Sequence, residues 1–400
     1  MATGTIDTSV LSDSVRARYQ NMYEEQVMAK RVYDMFASPP GPDMNKYIAG
    51  SSFIMPFISK MDIETTAISE SSDKLPQTLE DATATITPTS RGGALQQSEL
   101  MRIRNYAENA DEEIIKILAE NAVESIDLVA QAQALKGNLL LRGTARASLD
   151  AGTAGDRFTE AAFSEAETVM YEFRVPTFMD MRGGSWSAAV PPDAYYDLRT
   201  SGNVVSIAQY QDKNIIMGDQ EIGSIGKFRI VVAPWAKVFG GAGADHGSNA
   251  DTTLSAATLK LATAATVGSS TNITAGRYLT VGTEETGTTH YETNERIFNS
   301  AASTTLAVVG AGSNGGFRHA HASGVAVRNA DSVYPVVFGG AGSLVKYWEP
   351  TVGEFGQLGG WEATGNLKQW FNAFWKWYGA YGRPVESRIV RGEYSSSLDA

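Results

Sequence analysis

An α+β fold, with one long helix as its spine and a small all-β insertion, is what the sequence predicts. Three observations carry that prediction. Residues 110–136 repeat apolar positions at helical spacing without a break, and Phe228-Arg229-Ile230-Val231-Val232 reads as a strand flanked by turn residues. Residues 241–333 then turn to Thr, Ser, Ala and Gly, low in Lys, in short alternating runs. At 400 residues the chain can form two or three compact domains, and its 39 glycines point to many turns and much β-structure.

Residues 1–50 read as an N-terminal arm. Ser12 to Phe36 is compatible with helix, with Val15, Tyr19, Met22, Tyr23, Val27 and Val32 recurring at roughly helical spacing, and Ser38-Pro39-Pro40-Gly41-Pro42 stops it. Residues 51–104 are an extended, Thr- and Ser-rich loop with adjoining strands, its apolar positions being Phe53, Met55, Phe57, Ile63 and Ile68. The Thr83, Thr85, Thr87 alternation reads as a returning strand, and Ser69 to Lys74 forms a polar tip. Such a two-stranded excursion rarely stabilises itself, so it is expected to lie on something else.

Residues 105–158 hold the best helix, from about Ala110 to Lys136. Asn109 is placed to cap it with Glu112 three residues on, and Gly137 is the expected stop. Ile114, Leu118, Ala122, Ile126 and Ala130 repeat at i, i+4, and Ile117 and Val129 widen that face. At 1.5 Å per residue the helix spans on the order of 40 Å, enough for a domain spine. Residues 159–240 begin with a second helix, Thr159 to Phe173, and change to α/β character from Trp186. Ala188-Ala189-Val190 joins 228–232 as a strand, with turn chemistry at Gly218-Asp219 and Gly223-Ser224-Ile225-Gly226. The insertion, 241–333, carries strand-like Tyr278–Val281 and Thr304–Val309. Residues 334–400 resume the earlier character at Val336-Val337-Phe338 and close on an aromatic-dense segment.

Composition excludes several classes of function. With no cysteine there are no disulfides, thiolate nucleophiles or thiolate metal sites, which fits a reducing cytoplasm. A net charge of −12 argues against a DNA-coating role, although an acidic wall suits a container along which packed nucleic acid slides. The first charges, Asp7 and Asp13, do not read as a signal peptide, and no apolar run reaches the roughly 20 residues of a membrane span, so no membrane partner is expected.

Catalytic motifs are missing or decoys. There is no GxSxG elbow, Walker loop or HExxH. Gly310-Ala311-Gly312-Ser313-Asn314-Gly315 matches GxGxxG after a strand-like run, with Asp331 near the place of a ribose-binding acid. A dinucleotide site needs those glycines to open a helix, and Gly324 follows too soon, so the segment reads as a turn. His319 and His321 resemble a metal pair but have no third ligand nearby. Trp370, Phe371, Phe374, Trp375, Trp377, Tyr378 and Tyr381 suit base stacking, yet only Lys368, Lys376 and Arg383 accompany them; packing and interface contact is the favoured reading. No cofactor, no metal and no enzymatic activity are expected.

Two segments carry a family resemblance. Val190-Pro191-Pro192-Asp193-Ala194-Tyr195-Tyr196-Asp197-Leu198-Arg199 is similar to the hydrophobic-Pro-Asp-aromatic-Asp-Leu-Arg segment of one large subfamily of tailed-phage coat proteins. Gly218-Asp219-Gln220-Glu221-Ile222-Gly223-Ser224-Ile225-Gly226-Lys227-Phe228-Arg229-Ile230-Val231 resembles the Gly-Glu-Ile-Gly segment that follows it there. The order of parts agrees as well, over most of the chain outside 241–333. The resemblance implies the HK-ninety-seven-like capsid fold: N-arm, extended loop, peripheral domain on the spine helix, axial α/β domain, and here an inserted all-β domain expected as a surface knob.

It also implies a major capsid protein that self-assembles into hexamers and pentamers of an icosahedral head around double-stranded DNA, without sequence-specific binding. Its partners would be copies of itself, a portal, a separate scaffolding protein and, as a further candidate, a decoration protein. It would be assembled in the host cytoplasm and reside in the virion. Tyr19, Tyr23 and Tyr33 of the arm, and Phe53, Phe57, Glu70, Asp73 and Lys74 of the extended loop, are the candidate inter-subunit contacts. The alternative is an encapsulin-type nanocompartment shell, which shares that fold.

Overall fold

The computed structural model describes residues 20–24, 31–39, 48–49, 52–58, 61, 64–65, 78, 81–98, 110–143, 148–149, 153–178, 184–201, 221–242, 252–270, 273, 277–282, 295–300, 303–310, 315–328, 331–364 and 370–398. The chain divides into two compact units interleaved in sequence. One comprises Met1–Met28, Ser38–Ala122 and Leu344–Pro384, the other Ala29–Ala37, Val123–Ser343 and Val385–Ala400.

The predicted long helix is present as α1, Ala110–Leu135, its first half belonging to one unit and its second half to the other. Its buried face departs from the predicted stripe. Ile115, Leu118, Ala119, Ala122, Val123, Ile126 and Ala130 are buried, whereas Ile117 is 54% exposed. At 3.6 residues per turn an i, i+4 row drifts by about 40° per step, and Ile117 lies on the side from which the row moves away. The predicted caps at Asn109 and Glu112 fall outside the described side chains.

In the first unit the strand Trp370–Gly382 pairs antiparallel with Thr89–Ser98, Gln357–Thr364 and Leu344–Trp348. A smaller antiparallel sheet joins Ile48–Ala49, Ser52–Ile58 and Asp81–Ile86, the last being the returning strand predicted from the Thr alternation. Phe53 and Ile86 at its root pack with Val345, Tyr347 and Ala380, and the Phe53 ring stacks on Tyr347 with centroids 5.6 Å apart. This supplies the support that a lone pair of strands lacks.

The N-terminal region departs from prediction. Residues 20–24 are helical, but the expected single helix to Phe36 ends in a separate 3-10 turn, Tyr33–Phe36, leading into extended Ala37–Ser38. The backbone N–H of Tyr33 donates to the Asp127 carboxylate at 2.8 Å, so at that residue a side chain on α1 takes the hydrogen bond a continuing helix would form.

The second unit is built on a mixed sheet in the order Leu140–Leu141, Ile389–Tyr394, Asp331–Gly339, Trp186–Val190, Phe228–Val232, Glu221–Ile225. Helix α2, Glu160–Glu172, lays Ala162, Phe163, Ala166 and Met170 into its core. There the rings of Phe158, Phe163, Phe228 and Phe338 pack with Trp186 and Tyr394. The Pro-Asp-aromatic segment folds as a short helix, α3, Pro192–Thr200, which is absent from the elements expected of the sequence. Pro192 stands at its first turn, where no N–H is needed, and Ala194, Asp197 and Leu198 face inward. Asp197 accepts bonds from both the backbone N–H and the hydroxyl of Ser397, tying the C-terminal segment to α3. The turn expected at 223–226 is made only by its last residue and the next, Gly226-Lys227. Gly223–Ile225 belong to the strand, and Gly226 takes the left-handed conformation, φ +57°, that closes the hairpin onto Phe228. Gly218-Asp219 fall outside the described residues.

The chain leaves this sheet at Ala242 and returns at its pairing partner Asp331. Between them lies a six-stranded antiparallel sheet ordered Thr252–Thr253, Ala326–Arg328, Arg277–Val281, Glu295–Asn299, Thr305–Val309, Ala264–Thr266. A bridge from Leu254 to Val267 joins its first and last strands, closing it into a small barrel around Leu279, Val281, Ile297, Leu306, Phe317 and Val327. That bridge pairs the two end strands with each other where a sheet left open would expose them.

Candidate assembly surface

The strand Trp370–Gly382 carries aromatic side chains on both faces, and the structure decides which face is covered. Ala373, Trp375, Trp377 and Tyr381 are buried; Trp370 and Phe374, on the alternate face, are 46% and 40% exposed. The covered face is fixed by polar handles. Trp375 Nε1 donates to Asn121 Oδ1 on α1 at 2.9 Å, and Trp377 Nε1 to the Glu354 carbonyl at 3.2 Å. On the open face Phe374 lies across from Gly359, where an added Cβ would stand 2.6 Å from the ring. Only glycine lets that ring lie flat on the neighbouring strand. The result is a rigid platform holding two large rings partly in water, beside exposed Lys376.

The turn at one end of this platform is clamped by the N-terminal helical residues. Gln20 Nε2 donates to the Gly356 carbonyl at 3.2 Å, the Leu358 N–H donates to Gln20 Oε1 at 2.8 Å, and the Tyr23 hydroxyl donates to the Phe355 carbonyl at 3.1 Å.

The residues singled out from sequence do not form one cluster. Tyr23, Tyr33 and Phe53 are buried, against residues 355–356, Asp127 with Gln131, and Tyr347 respectively. Phe57 lies in the strand Ser52–Ile58, with its side chain outside the described set; Tyr19, Glu70, Asp73 and Lys74 also lie outside the described residues. The sequence marks Trp370 and Phe374 as part of an aromatic segment suited to packing and contact, but not as its open face. Gln20, Asn121 and Asp127 escape sequence reasoning, because no local pattern marks a polar side chain whose partner is distant in sequence.

Residues 311–314 of the GxGxxG match lie outside the described residues; the Gly310 N–H donates to the Gly315 carbonyl at 2.8 Å, and residues 317–321 are not helical. His321 is buried edge-on to Phe317, with centroids 5.5 Å apart. Among the described residues no group of three or more His, Cys, Asp or Glu is arranged to hold a metal, and no helix is long and apolar enough to cross a membrane.

No family model matches the chain, and no curated protein matches it in sequence. Solved structures do match its fold. A structure of Mycobacterium phage Che8 aligns with a TM-score of 0.50 at 9% identity, over 91% of this chain and 91% of that one. The capsid of Ralstonia phage GP4 gives 0.51 at 10% identity over 87% and 84%, and the cyanophage Pam1 capsid 0.51 at 10% over 92% and 93%. The chain has the fold of phage capsid proteins. This is the HK-ninety-seven-like fold implied by the two sequence segments. Within the capsid-protein fold, those segments do structural work near the strand Trp186–Val190: one forms α3, which follows it, and the other the hairpin whose strand Phe228–Val232 pairs with it.

Proposed function

We propose that this chain is the major capsid protein of a tailed phage, a non-enzymatic shell subunit forming hexamers and pentamers of an icosahedral head around double-stranded DNA. The observation that carries this reading is the capsid-protein fold, matched over 92% of this chain and 93% of the Pam1 capsid chain. In this reading the unit with the long ribbon and extended loop is the peripheral part, the second unit's mixed sheet the axial part, and the closed barrel an outward knob. The mechanism is multivalent burial: many modest contacts per subunit, made cooperative by closed symmetry. The Trp370–Phe374 platform, the arm and the extended loop are the surfaces offered to neighbouring copies, with Tyr19, Phe57, Glu70, Asp73 and Lys74 among the contacts. The net charge of −12 suits a wall that encloses DNA without gripping it. A portal and a separate scaffolding protein are its expected partners, with a decoration protein as a candidate for the barrel. Assembly takes place in the host cytoplasm and the product is the virion.

Negative-stain electron microscopy of the chain, expressed alone and with its neighbouring reading frames, tests this. Closed shells, or rings of five and six, are expected. A monodisperse monomer under both conditions overturns the proposal, and shells loaded with an enzyme would reassign it to a nanocompartment.

A further inference from the structure

Asp127 sits on α1 with its carboxyl wholly buried and joins two segments that approach the helix from elsewhere in the chain. The Tyr33 backbone N–H donates to Oδ1 at 2.8 Å, and the Trp235 indole N–H donates to Oδ2 at 2.8 Å. One turn along, Gln131 Nε2 donates to the Tyr33 hydroxyl at 3.1 Å, so the Tyr33–Phe36 turn is held at two points of the same helix face. Gln131 Oε1, equally buried, has no hydrogen-bond partner among the described residues. Among the described residues no cation is paired with the Asp127 carboxylate. Asp34 adds a second negative charge, and Arg31 is engaged with Asp34 at 3.2 Å. Glu124, one turn earlier on α1, pairs with Arg318 at 2.8 Å, and Lys237 is the titratable group of the Trp235 loop. A buried carboxylate without a countercharge is costly, and a buried carbonyl without a donor is costly as well. One proton on the carboxyl relieves the first.

We propose that docking of the Tyr33–Phe36 turn and the Trp235 loop onto α1 is coupled to the binding of one proton by Asp127, so that the turn is held tightly in mild acid and loosened above it. Burial pushes the Asp127 carboxyl up to about 6, and the Asp34 charge adds to the rise. The Trp235 indole and the backbone N–H groups of Tyr33 and Val32 hold it back from going higher. In an undocked chain, open to water, the carboxyl returns to the ordinary value of about 3.9. The docked form therefore binds the proton more tightly. Docking is strengthened as pH falls through about 6 and weakened as it rises past it, by about tenfold between pH 5 and pH 7.5. The proton therefore sets how firmly residues 31–36 are held on α1.

Hydrogen exchange on the full chain, corrected for the intrinsic rate at each pH, reads this directly. Protection of the Tyr33 amide relative to core amides is expected to fall about tenfold from pH 5 to pH 7.5, and Asp127→Asn is expected to flatten the profile. Asp34→Asn, which leaves Asp127 in place, is expected to move the midpoint to lower pH. That second variant decides the matter if the Asp127→Asn chain does not fold. A flat profile in the unaltered chain means that the carboxylate stays ionised throughout, and overturns the proposal. An unmoved midpoint in Asp34→Asn does the same.

Discussion

Replacing Trp370 and Phe374 together by Thr removes the open aromatic platform while keeping residues that favour strands. Large aromatic side chains carry roughly 150–250 Å² each, so exposures of 46% and 40% leave about 170 Å² of ring surface available to a neighbour. At about 25 cal/mol per Å² that surface is worth up to about 4 kcal/mol per subunit contact. The critical concentration for assembly should then rise by as much as about a thousandfold. The fold should be nearly untouched, because both rings point away from the core; uncovering Gly359 costs up to about 1 kcal/mol in cross-strand packing. Light scattering across a concentration series, with circular dichroism on the unassembled chain, separates the two effects. Shells forming at the unaltered concentration would refute the assignment of this face to inter-subunit contact. Loss of the circular dichroism signal would show instead that the rings support the subunit itself.

Phe338→Ala, at a centre whose ring lies 5.3 Å from Phe228, 5.6 Å from Phe163 and 6.4 Å from Phe158, should cost about 3–5 kcal/mol in denaturant unfolding, since a packed aromatic cluster cannot collapse onto the void. Glu393→Leu should be comparably destabilising. The buried carboxylate pairs with Arg142 at 3.0 Å and Arg391 at 3.1 Å, and its loss leaves two guanidinium groups without their anion. Arg142→Ala should cost less, because that side chain is 33% exposed and water can replace it. Burial holds the hydroxyls of Tyr33 and Tyr394 well above the usual tyrosine range, with the Asp127 charge adding at Tyr33 and Glu165 at Tyr394. Both should stay un-ionised in the folded chain beyond pH 10, and stability should fall as pH rises past that point because the unfolded chain releases those protons first. Ultraviolet difference titration of the folded and denatured chain checks this; tyrosinate formation at pH 10 by all sixteen tyrosines of the folded chain would contradict it.

Local patterns made much of this chain legible. The spine helix, the second helix, the strand at 228–232 and the all-β character of 241–333 follow from periodicity and turn residues that neighbours in sequence impose on each other, and those elements stand within a residue or two of where periodicity puts them. The two family-like segments pointed to the fold because their residues serve local needs: Pro192 at a helix start, Gly226 in a hairpin turn. What tertiary structure alone decided is which side of an element meets water and which polar groups meet each other. Trp370–Gly382 has rings on both faces, so alternation could not say which would be covered; Asn121, 254 positions from Trp375, settles it. The drift of the apolar row on α1 left Ile117 outside. In sequence, Asp127 is one more charge on a helix, where charge usually means solvation. It becomes a buried junction only because Tyr33, 94 positions earlier, and Trp235, 108 positions later, close over it. Burial is a property of what folds back onto a residue, and for these residues the partners lie far beyond any window in which periodicity can be read.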